Sequence, residues 1–215
     1  SRPQAQLKMK SFLELLSIAI GFLGIQFAWS VQMGQMGPLE ESLGADPRLI
    51  GIIACAGPIT GVLVQPIVGA LSDNSTSSFG RRRPFLLAGA ILTAISLVLM
   101  PNSPILLVAA ILLWILDASI NISQGPYRAL IADVVHKDQQ ADAHSMLSLT
   151  IGLGSVISFL IAGSGWFTMH ELFYMGAATM LVAMLWTIMT TKEVPGAELQ
   201  TCLLYTSDAA DDDVR

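Results

Sequence analysis

Charge is scarce in this sequence. Asp, Glu, Lys and Arg make up 13% of its 215 residues, about half the share of a water-soluble domain. A chain so poor in charge and 53% apolar cannot clothe a whole surface for water, which excludes the soluble globular class. Cysteine is almost absent. Cys55 and Cys202 have neither the number nor the spacing of a disulfide framework or a zinc site, and Cys55, inside an apolar stretch, reads as an inert thiol. The three histidines, His136, His144 and His170, stand near the ends of apolar stretches without a nucleophile or metal partner beside them. No metal, no cofactor and no enzymatic chemistry are expected. The net charge of -5 owes much to Asp208, Asp211, Asp212 and Asp213 at the C-terminus, so it says little about partners.

What is there in quantity is long apolar runs. Crossing a hydrocarbon core of about 30 Å takes roughly 20 apolar residues of helix. Six stretches meet that length: Phe12 to Gly37, Ile50 to Leu71, Pro84 to Met100, Pro104 to Val134, His144 to Phe167 and Leu172 to Thr190. The connections are Pro38 to Leu49, Ser72 to Arg83, the Pro101-Asn102-Ser103 turn, Val135 to Ala143 and Thr168 to Glu171, all too short for a soluble domain. The first run follows Arg2, Lys8 and Lys10 but is too long for a cleaved signal, so it reads as a span. The fold class expected is all-α, with six membrane-spanning helices in one bundle covering residues 1–200.

Lys and Arg in short loops stay on the cytoplasmic side. With six spans, Arg2, Lys8, Lys10, Arg81, Arg82, Arg83, Arg128, Lys137 and Lys192 fall on one side and only Arg48 on the other. Both ends are therefore expected in the cytoplasm, in a plasma membrane or a bacterial inner membrane. The stretch from Thr201 to Asp211 has no helical pattern and resembles the translation of a sequencing-library adapter. Residues 201–215 are read as a non-native tail, with the natural frame expected to continue past about Gln200.

One span carries chemistry. Asp117, Asn121, Gln124 and Arg128 follow at i, i+4, i+7 and i+11, one face of a helix. A polar stripe cannot face lipid without leaving its groups unsatisfied, so it must face a bundle or a wet cavity. Asp117 lies about 20 Å along its span at 1.5 Å per residue, near the bilayer midplane, where ionisable residues mark ion and proton paths. Asp117 is therefore the candidate proton carrier. A static ion pair with Arg128 is the competing reading, but eleven residues of helix separate the two by about 16 Å.

Other features are read against plainer alternatives. Asp73 closes the second span, and Arg81, Arg82 and Arg83 open the third; the arginines anchor a cytoplasmic loop, and with Asp73 they form a charge network able to break during a conformational change. Their basic face is too small for nucleic acid. Gly57, Gly61, Gln65 and Gly69, and likewise Gly154, Ser158 and Ala162, recur every fourth residue, a spacing for close helix packing. Pro58, Pro66 and Pro126 permit bends within spans. Gln26, Trp29 and Ser30, with Gln32 and Gln35 further along, suit either a polyhydroxylated ligand or hydrogen bonds between helices.

Three segments carry a resemblance: Gly24-Ile25-Gln26-Phe27-Ala28-Trp29; Gly80-Arg81-Arg82-Arg83-Pro84-Phe85; and Trp114-Ile115-Leu116-Asp117 with Gln124-Gly125-Pro126-Tyr127-Arg128-Ala129-Leu130-Ile131-Ala132-Asp133. In their order the chain resembles the glycoside-proton symporters of the major facilitator superfamily, which include plant sucrose carriers and related bacterial and animal sugar transporters. The resemblance implies the N-terminal half of a twelve-helix transporter, with a C-terminal six-helix half as its partner. It implies sugar and protons as what is carried, Asp117 as the proton site, and Arg128 supporting sugar binding or coupling. Asn121, Gln124, Gln26 and Trp29 complete the candidate sugar site, and Asp133 joins the charge network. The loop Gly44-Ala45-Asp46-Pro47 lacks a histidine found near there in the plant pattern. A carrier of another small solute and a non-transporting membrane sensor or scaffold are the competing functions.

Overall fold

A computed structural model describes residues 7–193, and among them the regular structure is entirely helical. The helices are α1 (Phe12–Ser42), α2 (Pro47–Ile53), α3 (Ala56–Asp73), α4 (Arg83–Leu99), α5 (Leu106–Val134), α6 (Gln140–Gly163) and α7 (Met169–Thr190). Taken with the short turns at their ends, they make six segments long and apolar enough to cross a membrane, α2 and α3 counting as one. The tail expected at 201–215 lies outside the described residues.

Several ends differ from the sequence reading, each for a local reason. Instead of stopping at Gly37, α1 runs through Pro38 to Ser42; a proline inside a helix removes one N–H, and the turns on either side carry it. The second span begins earlier, at Pro47, capped by the Asp46 carboxylate on the Arg48 N–H at 2.8 Å. It then breaks at Ala54 and Cys55. Pro58, the third residue of α3, has no N–H to give to the preceding turn, so a new helix starts there, where the first N–H groups are unpaired anyway. Gly163 ends α6 short of the expected Phe167, and Gly165 turns the chain at φ +70. Thr168 and Glu171, read as a link, form a capping box that starts α7, the Glu171 carboxylate accepting the Thr168 N–H at 2.7 Å. Ser11 and Glu14 do the same for α1.

The bundle is held by close approach at small residues, the means open to helices in lipid. A Cβ on Gly24 of α1 would stand 2.7 Å from the Ala183 Cβ of α7, and one on Gly154 of α6 would stand 2.8 Å from the Leu23 carbonyl. On Gly89 of α4 it would stand 2.7 Å from the Ser119 carbonyl of α5. The Gly21 N–H donates to Thr187 Oγ1 at 2.9 Å, and the buried Tyr127 hydroxyl donates to the Ile18 carbonyl. These contacts tie α1, α5 and α7 together near the Phe12 end of α1. Phe22, Tyr127, Leu116, Phe173 and Met184 fill the core.

α1 packs on α6 and α7, α4 on α5 and α7, and α3 on α5, which sets α3 and α6 at opposite margins of the bundle. Both are sparsely buried. On α3 only Ala56, Thr60, Val68 and Ser72 are buried. Its outer side shows Val62, Leu63 and Ile67, and α6 shows Val156, Phe159 and Leu160, apolar surface suited to lipid or to further helices.

Candidate functional site: a polar cavity and a charge cluster

A cavity of about 570 Å³ opens between α1, α3 and α5, within the range of small-ligand sites. α5 presents Asp117, Asn121 and Gln124 to it, as their shared face requires, α1 presents Trp29, Gln32 and Glu40, and α3 presents Gln65. The groups bond across helices. Gln32 Nε2 donates to Asp117 Oδ1 at 2.9 Å; Gln65 Nε2 donates to Asn121 Oδ1 at 2.6 Å; Asn121 Nδ2 donates to Thr60 Oγ1 at 3.2 Å and to the Asp117 carbonyl at 2.8 Å. Asp117 is buried. Among the described residues, those lining the cavity include two carboxyl groups, Asp117 and Glu40, and neither Lys, Arg nor His.

The four-residue repeat of α3 has a more particular use than backbone packing. A Cβ on Gly57 would stand 3.7 Å from Asp117 Oδ2, and one on Gly61 would stand 3.6 Å from Asn121 Oδ1. The glycines make room for the polar side chains of α5, and Gln65, one turn on, supplies their hydrogen bond.

The second polar region lies at the other end of α3 and α5. Arg82 is buried and makes three side-chain contacts: an ion pair from Nη2 to Asp73, Nε to Asp133 Oδ2 at 3.0 Å, and Nη1 to Ser72 Oγ at 2.5 Å. Arg81 Nη2 meets the same Asp133 oxygen at 2.7 Å. Glu193, just past α7, accepts the backbone N–H of Arg82 at 2.8 Å and that of Arg83 at 3.4 Å, a carboxylate on the N-terminus of α4. Burial holds the Glu193 carboxyl above the usual carboxylate range, against the pull of those two N–H groups. Gly80 has φ +114, and a Cβ there would stand 2.5 Å from Glu193 Oε2, so both conformation and space require glycine.

The sequence profile of the Major Facilitator Superfamily matches residues 18–202, most of the chain. The protein belongs to this superfamily. Like other Major Facilitator chains it is an integral, multi-pass membrane protein of a transporter family rather than an enzyme. Similar relatives are a general alpha-glucoside permease of Schizosaccharomyces pombe, 36% identical over 76% of this chain and 32% of the relative, and sucrose transport protein SUC4 of Arabidopsis thaliana, 30% identical over 93% of this chain and 45% of the relative. The chain thus spans about a third to a half of the length of these relatives. Among solved structures, peptide transporter POT in complex with sulfate superposes with a TM-score of 0.68 at 14% identity, over 98% of this chain and 48% of that one. The six-helix bundle is one half of a Major Facilitator fold.

On this Major Facilitator half, Asp117, Asn121, Gln124 and Trp29 come together around one cavity. Arg128 does not join them. Its side chain is exposed with the guanidinium 5.8 Å from the Phe22 ring centroid. Gln26 is turned to α6, donating to Ser155 Oγ at 3.0 Å, which is the helix-to-helix role open to it from the start. Asp73, Arg81, Arg82 and Asp133 meet in the charge cluster. Arg83 enters it through its backbone, its side chain stacking on Phe79 at 5.6 Å. Thr60, Glu40 and Glu193 escaped the sequence reading. The first has no marker in sequence, the second was placed in a loop, and the third follows the last span.

Proposed function

We propose that the chain is the N-terminal half of a proton-coupled sugar symporter that works by alternating access. The observation that carries this reading is Asp117, a buried carboxyl held by Gln32 in a largely apolar cavity whose polar lining, among the described residues, is amides, the Trp29 indole and Glu40, with no cationic side chain. A carboxyl there can take up a proton from one side and release it to the other when the access changes. The amides and Trp29 suit a neutral polyhydroxylated solute, whose hydroxyl groups need hydrogen-bond partners and whose C–H faces lie against aromatic rings. Support for sugar as the solute class comes from the relatives, named as alpha-glucoside and sucrose transporters.

In this mechanism sugar and proton bind together, Asp117 carrying the proton, and the two halves rock around a site at their interface. The partner is the C-terminal six-helix half. We place both ends of this half in the cytoplasm on its Lys and Arg distribution, so that the Ser42 end of α1 and the cavity beside it face outward. The Arg82 cluster then latches the inner side, opening when the halves rock. A potential of about 100 mV contributes about 2.3 kcal/mol per proton charge, enough for roughly fifty-fold accumulation.

The test is Asp117→Asn in the full-length protein carrying this sequence, reconstituted in vesicles with a proton gradient. Asparagine keeps the size of the side chain and an acceptor for Gln32 but carries no exchangeable charge. Uphill uptake of labelled maltose and sucrose is expected to vanish, while exchange across an equilibrated membrane persists. Uphill, proton-dependent uptake at the wild-type level in this variant would remove Asp117 from the mechanism.

A further inference from the structure

The two oxygens of Asp117 stand in different surroundings. Oδ1 accepts the Gln32 Nε2–H from α1 at 2.9 Å. An oxygen already engaged in this way is the poorer place for an incoming proton, which leaves Oδ2 to receive it. On the α3 side the carboxyl group meets Gly57. A Cβ there would lie against it, 3.7 Å from Oδ2 and 3.9 Å from Cγ and Oδ1. Gly57 thus leaves space beside a side chain that is otherwise closed in, 4% exposed. That space belongs to the cavity, which Gly57 and Asp117 both line.

The break in the second span gives this space its chemistry. α3 starts at Ala56, after the turn at Ala54 and Cys55, so Gly57 stands in the first turn of a helix, where N–H groups have no intrahelical acceptor. A held water needs about two to four polar partners, and the carboxyl oxygen and first-turn N–H groups are such partners. We propose that Gly57 is a positioning residue of the proton site: lacking a side chain, it leaves room for water at Asp117 Oδ2, and the proton enters and leaves there. A hydronium ion in the cavity gives its proton to Oδ2, which turns the carboxylate into the neutral acid and the hydronium into water. Release runs the same step backwards once access has changed. A methyl group at position 57 takes the place of that water at an ordinary contact distance, so it slows the transfer without disturbing the fold. This rests on the proton-coupled reading and adds to it how the proton reaches its carrier.

The experiment measures uphill uptake and equilibrium exchange of labelled maltose by the full-length protein in vesicles, in water and in deuterium oxide. In Gly57→Ala the maximal rate of uphill uptake is expected to fall roughly ten-fold, about 1.4 kcal/mol of barrier, with KM unchanged. Exchange, which needs no proton release, keeps its wild-type rate, and uphill uptake slows more in deuterium oxide than it does in wild type. Gly57→Ser is the bulkier change, but its hydroxyl donates and accepts where the water stood, so its uphill rate lies between those of wild type and Gly57→Ala. Gly61→Ala places the same methyl one turn on, 3.6 Å from Asn121 Oδ1, and keeps the wild-type ratio of uphill uptake to exchange. If Gly57→Ala fails to fold, Gly57→Ser against Gly61→Ala decides the matter. A wild-type uphill rate at position 57 overturns the proposal, as does a parallel fall of exchange and uphill uptake, which makes Gly57 a packing residue. Absence of proton-driven uptake in the wild type overturns the proton-coupled reading itself and this inference with it, and so is distinct from failure at Gly57 alone.

Discussion

The two polar regions of this bundle share α3 and α5 and satisfy opposite rules, one drawing in α1 and the other the start of α4. At the Asp73 end of α3, Arg82 spends its guanidinium on Asp73, Asp133 and Ser72, and Glu193 closes the start of α4. At the Ala56 end, Asp117 is held through Gln32, while Oε1 of Gln32 and Oε1 of Glu40 have no partner among the described residues. In the first region the side chains of Arg81, Arg82, Asp73 and Asp133 pair with one another, although the buried Arg83 Nε makes no hydrogen bond among the described residues. The second has unfilled hydrogen-bonding capacity around a space of about 570 Å³. Charged groups that hold one another fix a conformation, whereas a buried carboxyl beside open space leaves room for a ligand or for the other half of the fold.

That contrast is broken most forcefully at Arg82. Replacing it with methionine removes its bonds to Asp133, which keeps Arg81, to the exposed Asp73 and to the buried Ser72, and hydrogen bonds to a charged group contribute about 1.5–3 kcal/mol. Arg82→Met is therefore expected to lower the thermal midpoint of the purified protein more than any change at the cavity. Asp117→Asn keeps the Gln32 bond and should cost about 1 kcal/mol or less, despite abolishing uphill uptake. Equal melting losses in the two variants would erase the distinction between a latch and a ligand site.

A smaller test asks whether backbone shape belongs to the latch. Gly80→Ala forces a side chain onto φ +114 and into the Glu193 carboxylate, and strain of this kind costs about 1–3 kcal/mol. Gly57→Ala adds the same methyl at the cavity, where it would meet Asp117 Oδ2 at an ordinary 3.7 Å. The expected result is a clear melting loss for Gly80→Ala and little for Gly57→Ala. The reverse order would mean that the cavity wall is the tighter of the two.

Most of the fold was legible because lipid imposes one strong rule, that a spanning segment be long, apolar and helical. The stripe from Asp117 to Gln124 was legible for a related reason, since polar groups in such a segment must share a face turned from lipid. Helix ends were less legible. Pro38 read as a stop, so Glu40 was assigned to a loop, although a proline removes only one hydrogen bond and α1 continues past it. The capping pattern Thr168-Met169-His170-Glu171 was present in the sequence and marks where α7 starts. Pairings across helices lay beyond reach: nothing along the chain says that Gln26 turns to Ser155 or that Glu193 reaches Arg82, because both depend on how helices distant in sequence are rotated.

The finest probe of the comparison is the pH response of Glu193. Burial raises its carboxyl above the usual value of 4.5, so the folded chain keeps this proton to a higher pH than the unfolded chain does. Between the two values the folded state binds more protons, and stability falls as pH rises. The contribution is complete below 4.5 and is lost as pH climbs through the raised value. Glu193→Gln keeps a carbonyl acceptor for the Arg82 N–H but has no proton to lose. From below 4.5 to neutrality, the wild-type thermal midpoint should therefore fall relative to that of Glu193→Gln, while Glu171→Gln, an exposed cap on α7, should not reproduce the trend. A rise of the wild-type midpoint relative to Glu193→Gln across that range would mean that the folded chain keeps Glu193 ionised where the unfolded chain binds the proton, making the latch a permanent anion site on α4.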